Sequence, residues 1–149
     1  MNKKVFVDTD VVLDLLTKRE PFYNSASKVF SLAADKKIEL FISPVLISIL
    51  FHILRKMVGR EEAINAIRKL RILVSVVKID EEIVDLVLSS KVKDIEDGFQ
   101  YYGALQDKIG ILITRNIKDF TGKEISIMNC EEFIEYYKTE HIPIKLNRQ

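Results

Sequence analysis

The chain has 149 residues, 48% hydrophobic and 30% charged, the size and balance of one globular domain that buries a core without a disulfide or metal staple. A single cysteine, Cys130, with only His52 and His141 beside it, excludes an intramolecular disulfide and a Cys/His zinc cage. The longest uncharged stretch, residues 40–54, falls short of the roughly 18 apolar residues a spanning helix needs. Met1-Asn2-Lys3-Lys4 leads directly into Val5, with no signal-peptide pattern, so a soluble, cytoplasmic single domain with no membrane partner is expected.

The elements follow in order. Val5-Phe6-Val7, closed by Asp8, reads as a buried strand, and Val11 to Leu16 as a short helix. Tyr23 to Ala34 carries apolar residues at helical spacing, and Glu39 to Ile42 reads as a second strand. Ser43-Pro44 is a helix start, a capping residue followed by proline at the first position, and Gly59 is its stop. Glu61 to Leu73 is amphipathic, Val74 to Val77 strand-like, and Glu81 to Leu88 helical. Ile95 to Gln106 is a helix, Ile111 to Ile113 and Ile125 to Ile127 are strands, and Glu131 to Tyr137 is the last helix. Strands separated by helices predict an α/β three-layer sandwich around a mainly parallel sheet of about five strands.

The net charge of +1 is a cancellation. Residues 55–78 hold Arg55, Lys56, Arg60, Arg68, Lys69, Arg71 and Lys78 against Glu61 and Glu62, a local +5. Residues 80–107 hold eight acids against Lys91 and Lys93, a local −6. These are either two solvated helical faces or a polyanion-attracting surface near a cation-holding site.

In an open α/β sheet, ligands bind beyond the carboxyl ends of the strands. Acids stand there in three places: Asp8-Thr9-Asp10, Asp94-Ile95-Glu96-Asp97, and the Thr114-to-Phe120 stretch with Asp119. If neighbouring strands pair, Asp8, Asp97 and Asp119 converge at one sheet end, and clustered carboxylates need a compensating cation. Oxygen ligands without histidine or thiolate favour Mg²⁺ or Mn²⁺. Plainer roles exist: Asp94 as a helix cap with Asp97 at the capping-box position, Asp10 as a cap for the Val11 helix, Asp119 in a polar turn. Asp8 resists such a reading, because a carboxylate ending a buried strand needs partners. Gly98 and Gly103 have the outer spacing of a phosphate-binding loop, but Ala104-Leu105 replaces the Lys-Ser/Thr it requires.

Over residues 4–137 the sequence resembles the PIN-domain family, the fold of VapC-type toxin ribonucleases. The resemblance lies in Val5-Phe6-Val7-Asp8-Thr9-Asp10-Val11-Val12-Leu13-Asp14-Leu15-Leu16, with Asp10 where the family has Asn. It continues in Arg19-Glu20-Pro21-Phe22, Ile53-Leu54-Arg55-Lys56, Asp94-Ile95-Glu96-Asp97-Gly98-Phe99-Gln100-Tyr101 and Ile113-Thr114-Arg115-Asn116-Ile117-Lys118-Asp119-Phe120. It implies a PIN-like nuclease domain over 1–137 with a polar tail at 138–149, hydrolysing RNA with Mg²⁺ or Mn²⁺. It also implies Asp8, Asp97 and Asp119 as catalytic metal ligands, supported by Asp94, Glu96, Thr114 and Asn116. Arg55, Lys56, Arg60 and Arg115 would contact RNA, and the partners would be a small antitoxin and a second copy in a homodimer. The family's usual Glu near Ser48-Ile49 is missing, since residues 44–57 contain no acid. Ser48 holding a metal-bound water, or Glu96 or Asp94, stands as the compensation; a degenerate domain that binds RNA or protein without cutting is the alternative. Asp8-Thr9-Asp10 also resembles the nucleophile loop of haloacid-dehalogenase-like phosphatases, but Asp94 and Asp97 precede Thr114, the reverse of that family's order.

Overall fold

The computed structural model describes residues 2–120 and 122–141. Its strands are β1 (Lys3–Val7), β2 (Ile38–Ile42), β3 (Val74–Val76), β4 (Ile111–Ile113) and β5 (Ser126–Met128). Its helices are α1 (Thr9–Leu16), α2 (Tyr23–Ala34), α3 (Pro44–Val58), α4 (Arg60–Leu73), α5 (Glu81–Ser89), α6 (Ile95–Gln106) and α7 (Cys130–Glu140). A short 3₁₀ turn covers Ile117–Asp119. The five strands form one sheet in the order β3-β2-β1-β4-β5, with every pairing parallel. The predicted sandwich is therefore observed, with differences only at element ends. β5 is one residue later than expected, and α7 continues past Tyr137, into the expected tail. Residues 142–149 of that tail lie outside the described residues.

Strand periodicity sorts the core into two layers. Val5 and Val7, Ile38, Leu40 and Ile42, and Ile111 and Ile113 face a cluster shared with α1 to α4 and α7. Phe6, Phe41 and Leu112 point the opposite way, onto Tyr101 and Ala104 of α6. Both sheet faces are covered, which is why these strands read as continuous apolar runs.

Local signals set the helix starts. The Ser43 hydroxyl accepts from Leu46 N at 3.0 Å, and Pro44 opens α3. Leu46, Leu50 and Leu54 then recur every four residues, all buried, each contributing about 1.5–3 kcal/mol. Gly59 has φ of +88°, a conformation that suits glycine, and it joins α3 to α4. Gly98 and Gly103 are packing positions rather than a phosphate loop. A Cβ at Gly98 would lie 2.9 Å from Val87 of α5, and one at Gly103 would lie 2.8 Å from Ile79.

Candidate active site

After β1 the chain builds β2 and β3 on one side, then crosses to β4 and β5 on the other. The loops leaving β1 and β4 thus part at a topological switch point, where open α/β sheets place their ligands. Asp8 leaves β1 there and Thr114 leaves β4.

Asp8 is 6% exposed and is the N-cap of α1, its Oδ1 accepting from Thr9 N at 2.7 Å. The Thr114 hydroxyl donates to the other oxygen, Oδ2, at 2.7 Å, closing the switch point. Asp8 N donates to Ile113 O and Thr114 N to Met128 O, so both residues are fixed by sheet-like backbone bonds. Burial raises the Asp8 pKa, against the pull of Thr114, Thr9 and Gln100. Asp10, expected as a cap, instead lies in the first turn of α1 because Asp8 already occupies that position.

The second acidic segment comes from the start of α6. Asp94 caps it, Oδ1 accepting from Asp97 N at 3.3 Å. The Asp97 carboxyl is pushed up to about 7 by burial and by the charges of Asp8, Asp94, Asp119 and Glu96. Glu96 reaches across to α1: its Oε1 accepts from the Thr9 hydroxyl at 2.9 Å and from Gln100 Nε2 at 3.2 Å. Asp119 ends the 3₁₀ turn after β4, exposed, and its charge raises both Asp8 and Asp97. Asp97 and Asp119 line one cleft, and Asp8 lies near enough for its charge to act on Asp97. Among the described residues, no three His, Cys, Asp or Glu side chains close into a ready-made metal cage. The charges of Asp8, Asp94, Asp119 and Glu96 all oppose ionisation of Asp97, a repulsion of hard oxygen donors that a divalent cation would relieve.

The remaining expected residues scatter. Asn116 donates Nδ2 to Asp10 Oδ2 at 3.1 Å, and its backbone N donates to the Thr114 hydroxyl at 3.0 Å. Burial and the neighbouring Asp8 push Asp10 up to about 6, and its Oδ1 is buried without a partner. Ser48 is exposed on α3, and Arg55, Lys56 and Arg60 are exposed around the α3–α4 junction. Arg115, expected on RNA, is engaged elsewhere. Its Nε donates to Asp14 Oδ2 at 2.8 Å and its Nη2 to Asp14 Oδ1 at 3.1 Å, while its guanidinium lies 4.0 Å from the Phe22 ring centroid. Arg19 approaches the same carboxylate at 3.9 Å. Arg115 thus ties the loop after β4 to the buried Asp14 of α1, one turn from the site. Sequence reading missed this role of Asp14, along with Thr9 and the fully buried Gln100. The Glu96–Gln100 spacing of four is the one local signal available for them.

With that geometry in place, comparison with known proteins is decisive. A family model described as PIN domain matches residues 4–118. The chain belongs to the PIN-domain family. That membership sets aside the phosphatase alternative. The PIN chain is 25% identical over 143 residues to Ribonuclease VapC1 of Aquifex aeolicus (strain VF5), spanning 93% of this chain and 98% of that protein. Solved structures show the same PIN fold. DNA-bound VapBC from Salmonella typhimurium superposes with a TM-score of 0.65 at 16% identity, covering 87% of this chain and 99% of that one. VapBC-1 from nontypeable Haemophilus influenzae gives 0.64 at 19% identity, covering 86% and 98%.

Proposed function

We propose that this PIN domain is a Mg²⁺- or Mn²⁺-dependent ribonuclease that hydrolyses RNA phosphodiester bonds, the toxin of a toxin–antitoxin pair. The observation that carries the reading is Asp8, buried at the switch point, bonded to Thr114 and electrostatically opposed to Asp97 and Asp119. The similarity to Ribonuclease VapC1 supports RNA as the substrate. The similarity to VapBC structures supports a small antitoxin as partner, and we extend the same reading to a homodimer.

The donor set fits a hard cation: carboxylate oxygens, no thiolate, and like charges that a dication neutralises. Asp8, Asp97 and Asp119 would hold it, and when bound it would supply Lewis acidity at phosphorus and a more acidic water. The chain's own contribution is orientation. Thr9 N and the Thr114 hydroxyl hold the two Asp8 oxygens in fixed directions, and Glu96, held by Thr9 and Gln100, adds negative charge beside them. Holding these groups in place before reaction lowers the reorganisation cost of the charged transition state.

A second reading has its own support: α3 carries no acid, and Ser48 is exposed where the fourth carboxylate is expected. On that reading the domain binds RNA or a protein without cutting. The test is incubation of purified protein with single-stranded RNA in EDTA, Mg²⁺ or Mn²⁺, beside calorimetric titration with Mn²⁺. Metal-dependent cleavage supports the nuclease. No cleavage and no Mn²⁺ binding supports the binding module.

A further inference from the structure

A cleft of about 530 Å³ opens directly beside the carboxylate cluster. Asp94, Asp97, Asp119 and Glu124 line it together with Lys91, Lys93 and Lys118. Its apolar lining includes Tyr101, Tyr102, Leu105 and Phe120. The three lysines are exposed, and no ion pair engages them among the described residues. Tyr101 is spoken for: its hydroxyl donates to Glu124 Oε2 at 2.6 Å, and the residue is 7% exposed. Gly122 makes that bond possible, because a Cβ there would collide with the Tyr101 hydroxyl. Tyr102 packs edge-on to Tyr101, with centroids 5.4 Å apart at 85°, and is the more open ring.

Site carboxylates, an aromatic and aliphatic lining, and lysines free of ion pairs together suit a nucleotide. A nucleotide adjoining a phosphodiester at the carboxylates would lay its base on the apolar lining. Its phosphates would lie within reach of the lysines. We propose that this cleft binds the nucleotide of single-stranded RNA flanking the scissile phosphate, with Lys91, Lys93 and Lys118 on its phosphates and Tyr102 against its base. The inference rests on the ribonuclease reading for what lies at the carboxylates. It moves the main RNA contact away from Arg115, whose guanidinium is engaged with Asp14, to lysines that sit within a locally acidic segment or beside Asp119.

The test reads binding and cleavage separately on the full chain. Fluorescence anisotropy in EDTA measures affinity for a labelled single-stranded RNA 12-mer across a salt series. Wild type is compared with Lys91→Ala/Lys93→Ala/Lys118→Ala, with Tyr102→Ala, and with Lys28→Ala/Lys37→Ala/Lys138→Ala on other faces. Removing the cleft lysines should flatten the log–log salt slope by about 2, from roughly 0.7 per single-strand phosphate. Tyr102→Ala should weaken binding roughly 5- to 150-fold, the range for one base–aromatic stack, and the other-face variant should bind as wild type does. Cleft variants that bind RNA with wild-type affinity and salt slope would overturn the cleft, even if wild type cleaves RNA with metal. Cleft-dependent binding without cleavage under any metal would uphold the cleft and overturn the nuclease reading. RNA binding lost equally in the cleft and other-face variants would reduce it to general charge and also overturn the proposal.

Discussion

Asp14→Ala should destabilise the domain by about 3 kcal/mol, because it strands the partly buried guanidinium of Arg115. The Asp14 side chain is 2% exposed and Arg115 27% exposed, joined by two bonds of 2.8 and 3.1 Å. Removing one partner of a buried ion pair costs about 3–5 kcal/mol, because the remaining charge is stranded. The low end applies here, since a guanidinium with over a quarter of its surface open can turn towards water. In a chain of this length about 3 kcal/mol lowers Tm by about 6–12 °C. The assay is a double-mutant cycle of Asp14→Ala, Arg115→Ala and the pair, followed by urea denaturation. A coupling energy of about 1.5 kcal/mol or more is expected. Because Arg115 N also donates to Asp10 Oδ2 at 3.3 Å and Thr114 precedes it, both single variants should also lower any nuclease activity. Additive effects within about 0.5 kcal/mol, or an Arg115→Ala variant of normal stability but weakened RNA affinity, would refute the clamp and restore Arg115 to the RNA surface.

Three further outcomes are expected. Thr114→Val keeps the shape but removes the donor to Asp8, so it should cost about 1–3 kcal/mol in denaturation and reduce activity more than an exposed substitution such as Lys37→Ala. Because the Asp97 pKa is raised to about 7, the folded apo protein binds more protons than the unfolded chain at mildly acidic pH. Its contribution to stability is full below about pH 4, the ordinary Asp range, and is lost as pH rises through about 7. Asp97→Asn should therefore flatten the fall in apo Tm between pH 5 and 8, and wild type should bind Mn²⁺ more tightly at pH 8 than at pH 6. Burial, with Asp14 and Asp10 nearby, pushes the Cys130 thiol up to about 12, so it should resist a thiol reagent at pH 8 until urea unfolds the chain.

The fold was legible because its signals are local. Ser43-Pro44 and Gly59 mark α3, and Asp94 caps α6 through Asp97 N, as the spacing suggested. The candidate site was legible in part. Asp8, Asp97 and Asp119 each leave a recognisable mark at a strand or helix end, and the sheet order pairs the strand that ends at Asp8 with the one that precedes Asp119. Asp14 was not legible as a structural acid, because its partner Arg115 lies 101 residues away and no local pattern announces the pair. The same distance hid the Arg115 clamp and left a basic side chain beside acids looking free for RNA. The lysines of the cleft were obscured differently: Lys91 and Lys93 were diluted by the acids around them, and only folding brings Lys118 to the same cleft. The Thr9–Glu96 bond joins two helices and likewise depends on the fold.

The proposed joint role of Asp8 and Asp97 in metal-dependent RNA hydrolysis is tested most directly by one side-by-side cleavage assay. Wild type, Asp8→Asn and Asp97→Asn are incubated with single-stranded RNA in EDTA, Mg²⁺ and Mn²⁺, after circular dichroism confirms that all three are folded. Wild type should cleave only with a divalent cation, and each variant should lose about 100-fold or more. Equal cleavage by all three proteins would show that the chemistry lies elsewhere, and no cleavage by wild type under either metal would contradict the nuclease assignment itself.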